Sequence, residues 1–275
     1  AADGLPARTI NGIVEDGAGA LWIATEADGL WRVDKGWAPP ALPRFERIVS
    51  STEVTGAPPG RVSALFVDRA GSLWLTSPER GLGHLVPSGA TRLVFEYFPH
   101  DPHRPDSSCP TMVNVIAQDS FGKLWLGADE GLFVFDPVSA TFTRWSSRDF
   151  PQGTGRVLDI LRDTKDTLWL AGDGMGLFMA LPRSRRDDVL RFENFVHDAK
   201  DASSLSRNGL QCVFEDRSGM LWVSAYQGGL NKLILNPGAQ QDRARPSIYQ
   251  FRNSAADPWS LSGDTVSAIG EDRFG

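Results

Sequence analysis

Two arginines stand at the same position relative to a repeated sequence motif, called the phrase below, and could supply positive charge to a binding site. Arg61 and Arg156 each lie seven residues before an aspartate, Asp68 and Asp163, that opens the phrase. A guanidinium group donates several charge-assisted hydrogen bonds to carboxylates and hydroxyl groups. Because the two arginines share one register, we expect them to face a common volume and to bind a carboxylate-bearing or polyhydroxylated ligand.

A second set of polar side chains stands five residues before each aspartate of the phrase. The members are Asn11, Ser63, Asn114, Gln211 and Ser267, with Leu158 as the exception. Amides and hydroxyls at one level suit a small polar molecule, for example an oligosaccharide. The same groups could instead satisfy neighbouring backbone atoms or water in a channel. The sequence leaves both interpretations open.

The loops that follow the phrase are mainly acidic and include one exposed aromatic candidate. Their acidic residues are Glu26, Asp28, Glu79, Asp129, Glu130 and Asp173. These carboxylates could bind a cation or could form a solvated rim. Tyr226 occupies the same loop in the fifth unit, where it could stack on a sugar ring or lie on the surface without a partner.

Other residues capable of chemistry form weaker patterns. The stretch PHDPHRPD contains His100 and His103, a spacing that could bind a metal, but the equivalent stretch near His197 keeps one histidine. Cys109 and Cys212 stand at different registers, so we expect no disulfide. No nucleophile–base pair or phosphate-binding loop stands out, and we predict no catalytic residue, no metal and no cofactor. Four tryptophans outside the phrase are candidates for carbohydrate stacking: Trp31, Trp37, Trp145 and Trp259.

The phrase itself recurs too often to be a catalytic motif. An aspartate opens it at Asp16, Asp68, Asp119, Asp163, Asp216 and Asp272. Each of the first five is followed six residues later by a tryptophan: Trp22, Trp74, Trp125, Trp169 and Trp222. The Asp-x-x-Gly step predicts a tight turn whose glycine has positive φ. Asp166 replaces that glycine in the fourth unit, and aspartate tolerates this conformation better than most residues.

Each unit contains four short runs that are typical of β-strands, separated by Gly, Pro, Asp and Ser. In the second unit they cover residues 62–67, 72–77, 81–86 and 91–98. Adjacent Leu and Trp point to opposite faces of a strand, so both faces of the sheet must be buried. This pattern predicts an all-β fold, a β-propeller of four-stranded antiparallel blades. Apolar residues three and six before each aspartate are expected to pack between blades.

The repeats place one propeller domain over residues 1–275. The predicted blades cover approximately 8–56, 57–109, 110–154, 155–207 and 208–263, and residues 264–275 supply the first strand of a sixth. Because a propeller closes on a whole number of blades, we expect the sequence to be part of a propeller of about seven or eight.

The whole phrase, I-x-x-D-x-x-G-x-L-W followed by Gly-Leu, resembles the two-component regulator propeller repeat. Residues 195–216 and 251–275 are similar to that family's link between blades. The resemblance implies the periplasmic sensor of a membrane-bound histidine kinase, hybrid kinase-regulator or diguanylate cyclase, and a homodimer in the full-length receptor. It implies little about the ligand.

Composition is consistent with such a role. The chain of 275 residues has a net charge of −6 and no basic stripe, which argues against nucleic acid as a partner. No apolar run approaches the roughly 18 to 20 residues needed to cross a bilayer, so we expect no membrane contact by this segment. The leading hypothesis is a non-catalytic sensor that binds a small molecule or a protein. The alternatives are a lyase or hydrolase acting on a sugar, and a module that only mediates protein interaction or dimerisation.

Overall fold

The computed structural model describes residue 5 and residues 9–36, 43–52, 54–58, 60–88, 92–104, 108–145, 155–180, 192–235 and 246–272. The regular secondary structure within them is entirely β. No helix there is long and apolar enough to cross a bilayer.

The strands form five sheets, and each sheet provides one blade made from consecutive strands. Blade 1 contains β1 (Ile10–Glu15), β2 (Leu21–Thr25), β3 (Leu30–Val33) and β4 (Glu46–Ile48). Blade 2 contains β5 (Val54–Thr55), β6 (Ala64–Val67), β7 (Leu73–Ser77), β8 (Gly81–Ser88) and β9 (Arg92–Phe98). Its last four strands correspond to the four predicted runs.

The remaining blades each contain four antiparallel strands. Blade 3 contains β10 (Val113–Gln118), β11 (Leu124–Ala128), β12 (Gly131–Asp136) and β13 (Thr141–Trp145). Blade 4 contains β14 (Val157–Arg162), β15 (Leu168–Gly172), β16 (Gly176–Ala180) and β17 (Phe192–Phe195). Blade 5 contains β18 (Leu210–Glu215), β19 (Leu221–Ala225), β20 (Gly229–Ile234) and β21 (Ser247–Phe251).

Strand β5 is an addition that the repeat pattern did not predict. It pairs in parallel with β9, with Val54 beside Leu93, and extends blade 2 to five strands. The chain then turns at Gly56, whose φ is +73°. A Cβ at this position would lie 2.6 Å from the carbonyl oxygen of Phe95. A glycine is needed at this close approach.

The hydrophobic cores lie between consecutive blades. In one of them Trp125 and Leu132 of blade 3 pack against Val157 and Ile160 of blade 4. The first strands of the blades, β1, β6, β10, β14 and β18, contact one another in chain order. Sheets buried on both faces and arranged around a row of first strands form a β-propeller, as the sequence predicted.

The first blade departs from the expected packing. The apolar positions three and six before the aspartate are buried in blade 3, at Ile116 and Val113. In blade 1 the equivalent side chains of Ile13 and Ile10 are 57% and 46% exposed. The expectation that both sets pack between blades is therefore wrong for blade 1, because no described sheet covers that face.

The predicted first strand of a sixth unit lies beside blade 5. The amide of Gly229 donates to the carbonyl oxygen of Asp264 at 2.8 Å, and that of Arg217 donates to Glu271 Oε2 at 3.0 Å. Residues 264–272 form no ladder hydrogen bonds, because the described residues include no second strand for this unit.

Candidate functional site

The aspartate of the phrase binds both the turn and the tryptophan. In blade 3, Asp119 Oδ1 accepts hydrogen bonds from the amides of Phe121 and Lys123, both at 2.9 Å. Asp119 Oδ2 accepts from the indole Nε1 of Trp125 at 3.1 Å. The same indole–carboxylate bond joins the pairs 16/22, 68/74, 163/169 and 216/222 at 2.7 to 2.9 Å. The repeated motif is therefore architectural.

The turns have the predicted backbone. The glycine at the fourth position has φ of +85° at Gly19 and +82° at Gly71, and Asp166 takes φ of +67° in its place. Burial raises the pKa of Asp216, but hydrogen bonds from Ser218, Trp222 and the backbone lower it further, to about 2. The carboxyl is held ionised as an acceptor for these donors.

In four of the five blades, the position five before the aspartate lies on a β-bulge. The pairing register shifts around residue 11 in blade 1, 114 in blade 3, 158 in blade 4 and 211 in blade 5, so these residues are the extra ones. A bulge redirects a side chain away from the regular strand alternation. The position five before the aspartate is thus set apart by the backbone, whether it holds Asn11 or Leu158.

Between blades 1 and 2, three predicted polar residues form one cluster. Asn11 Nδ2 donates to Glu26 Oε2 at 3.0 Å and to the carbonyl oxygen of Val62 at 2.9 Å. Arg61 Nε lies 3.0 Å from the same Glu26 oxygen, at an angle that does not satisfy a hydrogen bond. One carboxylate of blade 1 thus holds an amide of its own blade and a guanidinium of the next.

The same cluster recurs between blades 3 and 4. Asn114 Nδ2 donates to Asp129 Oδ1 at 2.9 Å and to the carbonyl oxygen of Val157 at 3.1 Å. Arg156 Nε donates to Asp129 Oδ1 at 3.0 Å. We call each Asn–carboxylate–Arg set an inter-blade clamp. We call the junction between two consecutive blades a seam. The two predicted arginines therefore each lie in an ion pair at a different seam. No bond between described residues joins one clamp to the other.

The seam between blades 2 and 3 lacks a clamp. Ser63 Oγ lies 2.9 Å from Thr76 Oγ1 within its own blade. Met112 takes the place of the clamp arginine, and its sulfur lies 3.9 Å from Arg61 Nη1. The acidic residue here, Glu79, accepts a hydrogen bond from Ser77 Oγ at 2.6 Å.

The two remaining predicted site residues belong to blade 5. Gln211 Oε1 is buried and has no hydrogen-bond partner in the described residues. Tyr226 is 54% exposed, and its amide donates to the carbonyl oxygen of Gly209 at 2.8 Å. Neither belongs to a clamp.

A different polar contact joins blades 4 and 5. Asp159 Oδ2 accepts a hydrogen bond from the amide of Val213 at 2.9 Å, across the seam. Burial raises the pKa of the half-buried Asp159 carboxyl, although the hydrogen bonds from Val213 and Cys212 oppose this shift. Burial and the neighbouring carboxyl raise the pKa of the Cys212 thiol to about 12. Sequence analysis did not single out Asp159, since one carboxylate on a first strand gives no recognisable pattern.

The histidines considered as metal ligands serve loop structure. His100 Nδ1 lies 2.8 Å from the carbonyl oxygen of Cys109, and His197 Nδ1 lies 2.6 Å from that of Leu205. Asp101 accepts a hydrogen bond from the amide of His103 at 2.9 Å and pairs with Arg104. No group of three potential metal ligands occurs among the described residues.

The candidate stacking tryptophans divide into three cases. Trp31 is buried, and Trp145 is half-buried with its ring centroid 6.2 Å from that of Trp125. Trp259 is 94% exposed. Trp37 lies outside the described residues. Only Trp259 of the described three presents an open ring face.

Residues 4–27, which contain the first copy of the phrase, match the family model described as two component regulator propeller. The match shows this repeat at residues 4–27. The other four copies keep the same aspartate–tryptophan bond, so the repeat unit extends through all five blades. None of the curated proteins matches this chain.

Solved structures share the fold of this chain. The extracellular domain of the hybrid two component system BT3049 from B. thetaiotaomicron is 19% identical, with a TM-score of 0.65, covering 99% of this chain and 38% of that one. The extracellular domain of the one component system BT4673 from the same organism is 18% identical, with a TM-score of 0.63, covering 90% and 31%. The chain thus spans less than two-fifths of either relative.

An enzyme shares the fold too. Virginiamycin B lyase from Staphylococcus aureus is 12% identical, with a TM-score of 0.57, covering 90% of this chain and 71% of that one. A propeller can therefore host binding or catalysis, and function must be argued from the site.

Proposed function

We propose that this two component regulator propeller is the extracytoplasmic, periplasmic sensor part of a two-component-type receptor, and that this domain is not catalytic. The observation that carries the proposal is the bulged position on four of the first strands, which holds a polar side chain in three of them. One backbone scaffold thus presents Asn11, Asn114 and Gln211 on three blades and Leu158 on the fourth. The repeat and the similarity to extracellular domains of signalling systems support the same role.

The charges of the clamps favour binding over proton transfer. Glu26 and Asp129 each contact a guanidinium nitrogen at 3.0 Å. Each carboxylate also accepts a hydrogen bond from an asparagine amide of its own blade, so structural partners already occupy it. This argues against the sugar lyase or hydrolase alternative, which needs an acid–base set around one point.

We infer that the ligand is a small polar molecule that bears a carboxylate or several hydroxyls, such as an oligosaccharide. Such a ligand would share Arg61 and Arg156 with the clamp carboxylates, and would reach Asn11, Ser63, Asn114, Gln211 and Tyr226 nearby. A guanidinium has five N–H donors, so it can bind its clamp carboxylate and a ligand oxygen together. We also propose that the full-length receptor is a homodimer, in which ligand binding changes the contacts between two propellers.

The test is a thermal-shift screen with neutral oligosaccharides and sugar acids, followed by calorimetric titration of any ligand found. Arg61→Ala and Arg156→Ala should each weaken binding about tenfold, the value of one charge-assisted hydrogen bond. Arg92→Ala is the matched control, because Arg92 contacts Thr55 on the outermost strands. Equal affinity in all three variants would move the binding site away from the clamps.

A further inference from the structure

The seam between blades 4 and 5 repeats the clamp geometry with its arginine missing. In blades 1 and 3 the clamp carboxylate stands ten residues after the aspartate of the phrase, at Glu26 and Asp129. Asp173 occupies that position in blade 4. The residue that should reach it from blade 5, equivalent to Arg61 and Arg156, is Gly209. The carboxylate is present and its cationic partner is absent.

The Asp173 carboxylate lies beside Gly209 of the next blade. A Cβ built on Gly209 would lie 3.6 Å from Asp173 Oδ1, so the carboxylate faces the space that a longer side chain would enter. The same point lies 3.9 Å from the Cβ of Tyr226, whose side chain is 54% exposed. No described basic side chain lies within ion-pair distance of Asp173, and no described hydrogen bond reaches its carboxylate.

The amide partner of the clamp is also replaced. Leu158 stands at the bulge where Asn11 and Asn114 donate to their carboxylates. An apolar side chain supplies no donor, so Leu158 gives Asp173 no hydrogen bond. The two polar contacts that stabilise the carboxylate in the clamped seams are both missing here.

We propose that the space above Gly209, between Asp173 and Tyr226, is a binding site for the guanidinium group of a ligand. The guanidinium would take the position that Arg156 holds against Asp129 in the preceding seam. Tyr226 would line the site, and an aromatic ring near a guanidinium adds a cation–π contact. The site goes beyond the proposed sensor role, because it selects a cation while Arg61 and Arg156 select anionic or hydroxyl-rich groups.

The test is a nuclear magnetic resonance titration of backbone amides with N-acetyl-arginine amide. N-acetyl-citrulline amide, which has nearly the same shape without the charge, is the matched probe. We expect the arginine derivative to shift the amide signals of Asp173, Gly209 and Tyr226 at concentrations where the citrulline derivative does not. Equal shifts from both probes, or no shift at these amides, would overturn the proposal.

Three variants locate the site. Asp173→Asn should weaken binding of the arginine derivative about tenfold. Gly209→Arg should abolish it, because the new guanidinium occupies the site from within the chain. Gly209→Ala is the control and should preserve binding, since Gly209 does not have a positive φ and the added Cβ makes only ordinary contacts. Full binding by Asp173→Asn or by Gly209→Arg would contradict the site.

A further arm distinguishes the source of the guanidinium. A capped Gly-Arg-Gly peptide should bind more tightly than N-acetyl-arginine amide if the natural ligand is a polypeptide, and equally if it is a small molecule. The titration is independent of the sensor proposal. Loss of the response to arginine leaves the effects of Arg61→Ala and Arg156→Ala on an anionic or hydroxyl-rich ligand intact, so the two proposals fail separately.

Discussion

Two neighbouring seams, between blades 3 and 4 and between blades 4 and 5, share apolar packing but differ in their polar contacts. At the first, an amide and a guanidinium donate to Asp129, and Asn114 also donates to a backbone carbonyl across the seam. At the second, Asp159 accepts from the backbone amide of Val213. The seam between blades 3 and 4 therefore has a backbone acceptor and an exposed ion pair. The seam between blades 4 and 5 has a backbone donor and a half-buried carboxyl.

This difference makes the two seams sensitive to different solution variables. In the Asp129–Arg156 pair the arginine side chain is 51% exposed and the aspartate 36%, so dissolved salt screens the interaction. The Asp159 carboxyl is crowded by protein atoms, and its raised pKa links that seam to pH. Beneath both contacts lies the same apolar layer, so the polar residues modulate a junction that hydrophobic packing creates.

The substitution with the largest expected effect tests how much the apolar layer between blades contributes to stability. Trp125 is almost fully buried in the core between blades 3 and 4, so Trp125→Ala should lower the free energy of unfolding by about 3 to 5 kcal/mol. Trp222 of blade 5 is half-buried, and Trp222→Ala should cost clearly less. Chemical denaturation of both variants measures the difference. Equal losses would mean that burial between blades is not the source of stability.

The second prediction concerns pH at the seam between blades 4 and 5. Because the folded pKa of Asp159 lies above the unfolded value of about 3.9, the native state binds the proton more tightly, and stability falls as pH rises through the folded pKa. Asp159→Asn keeps an oxygen acceptor for Val213 but carries no charge. The variant should melt above the parent at neutral pH, and this advantage should disappear in acid. A constant difference at all pH values would contradict the assignment.

The repeat made the blade and its polar positions predictable, because Trp, Gly and Asp at fixed offsets impose turns, strands and two-sided burial. The shared offset of Asn11, Asn114 and Gln211 was visible as well, but the bulges on which they lie were not predicted. What was not predicted was the ion-pair partner of each arginine side chain. Arg61 and Arg156 were assigned to a common volume, but each reaches back to a carboxylate of the preceding blade.

A signal for that pairing was present in the sequence. Glu26 precedes Arg61, and Asp129 precedes Arg156, at matching offsets in consecutive units. Opposite charges that recur in this way predict contact across a seam. The indole–carboxylate bond could have been inferred similarly from its constant spacing of six residues. Asp159 gave no such signal, because its environment depends on atoms of two blades.

The third prediction measures the clamp. Arg156→Ala should lower the free energy of unfolding by about 0.2 to 1 kcal/mol, as for other exposed ion pairs. A double-mutant cycle with Asp129→Ala should give a coupling energy that decreases as salt is added. The pair at Arg32 and Asp34, which lies within blade 1, provides a comparison that spans no seam. A coupling that salt does not change would contradict an exposed electrostatic clamp.

The variant with the smallest expected effect would add a clamp arginine to the seam between blades 4 and 5. Gly209→Arg places a guanidinium within reach of Asp173, and the new pair should stabilise the fold by a few tenths to about 1 kcal/mol. Replacing glycine also restricts the unfolded chain, which is itself stabilising by about 0.4 to 1 kcal/mol, so Gly209→Gln must be measured as the uncharged control. The stability of Gly209→Arg should exceed that of Gly209→Gln at low salt and equal it at high salt. If the two variants are equally stable at low salt, Asp173 does not face the position of the clamp arginine, and the likeness between the two seams fails at that residue.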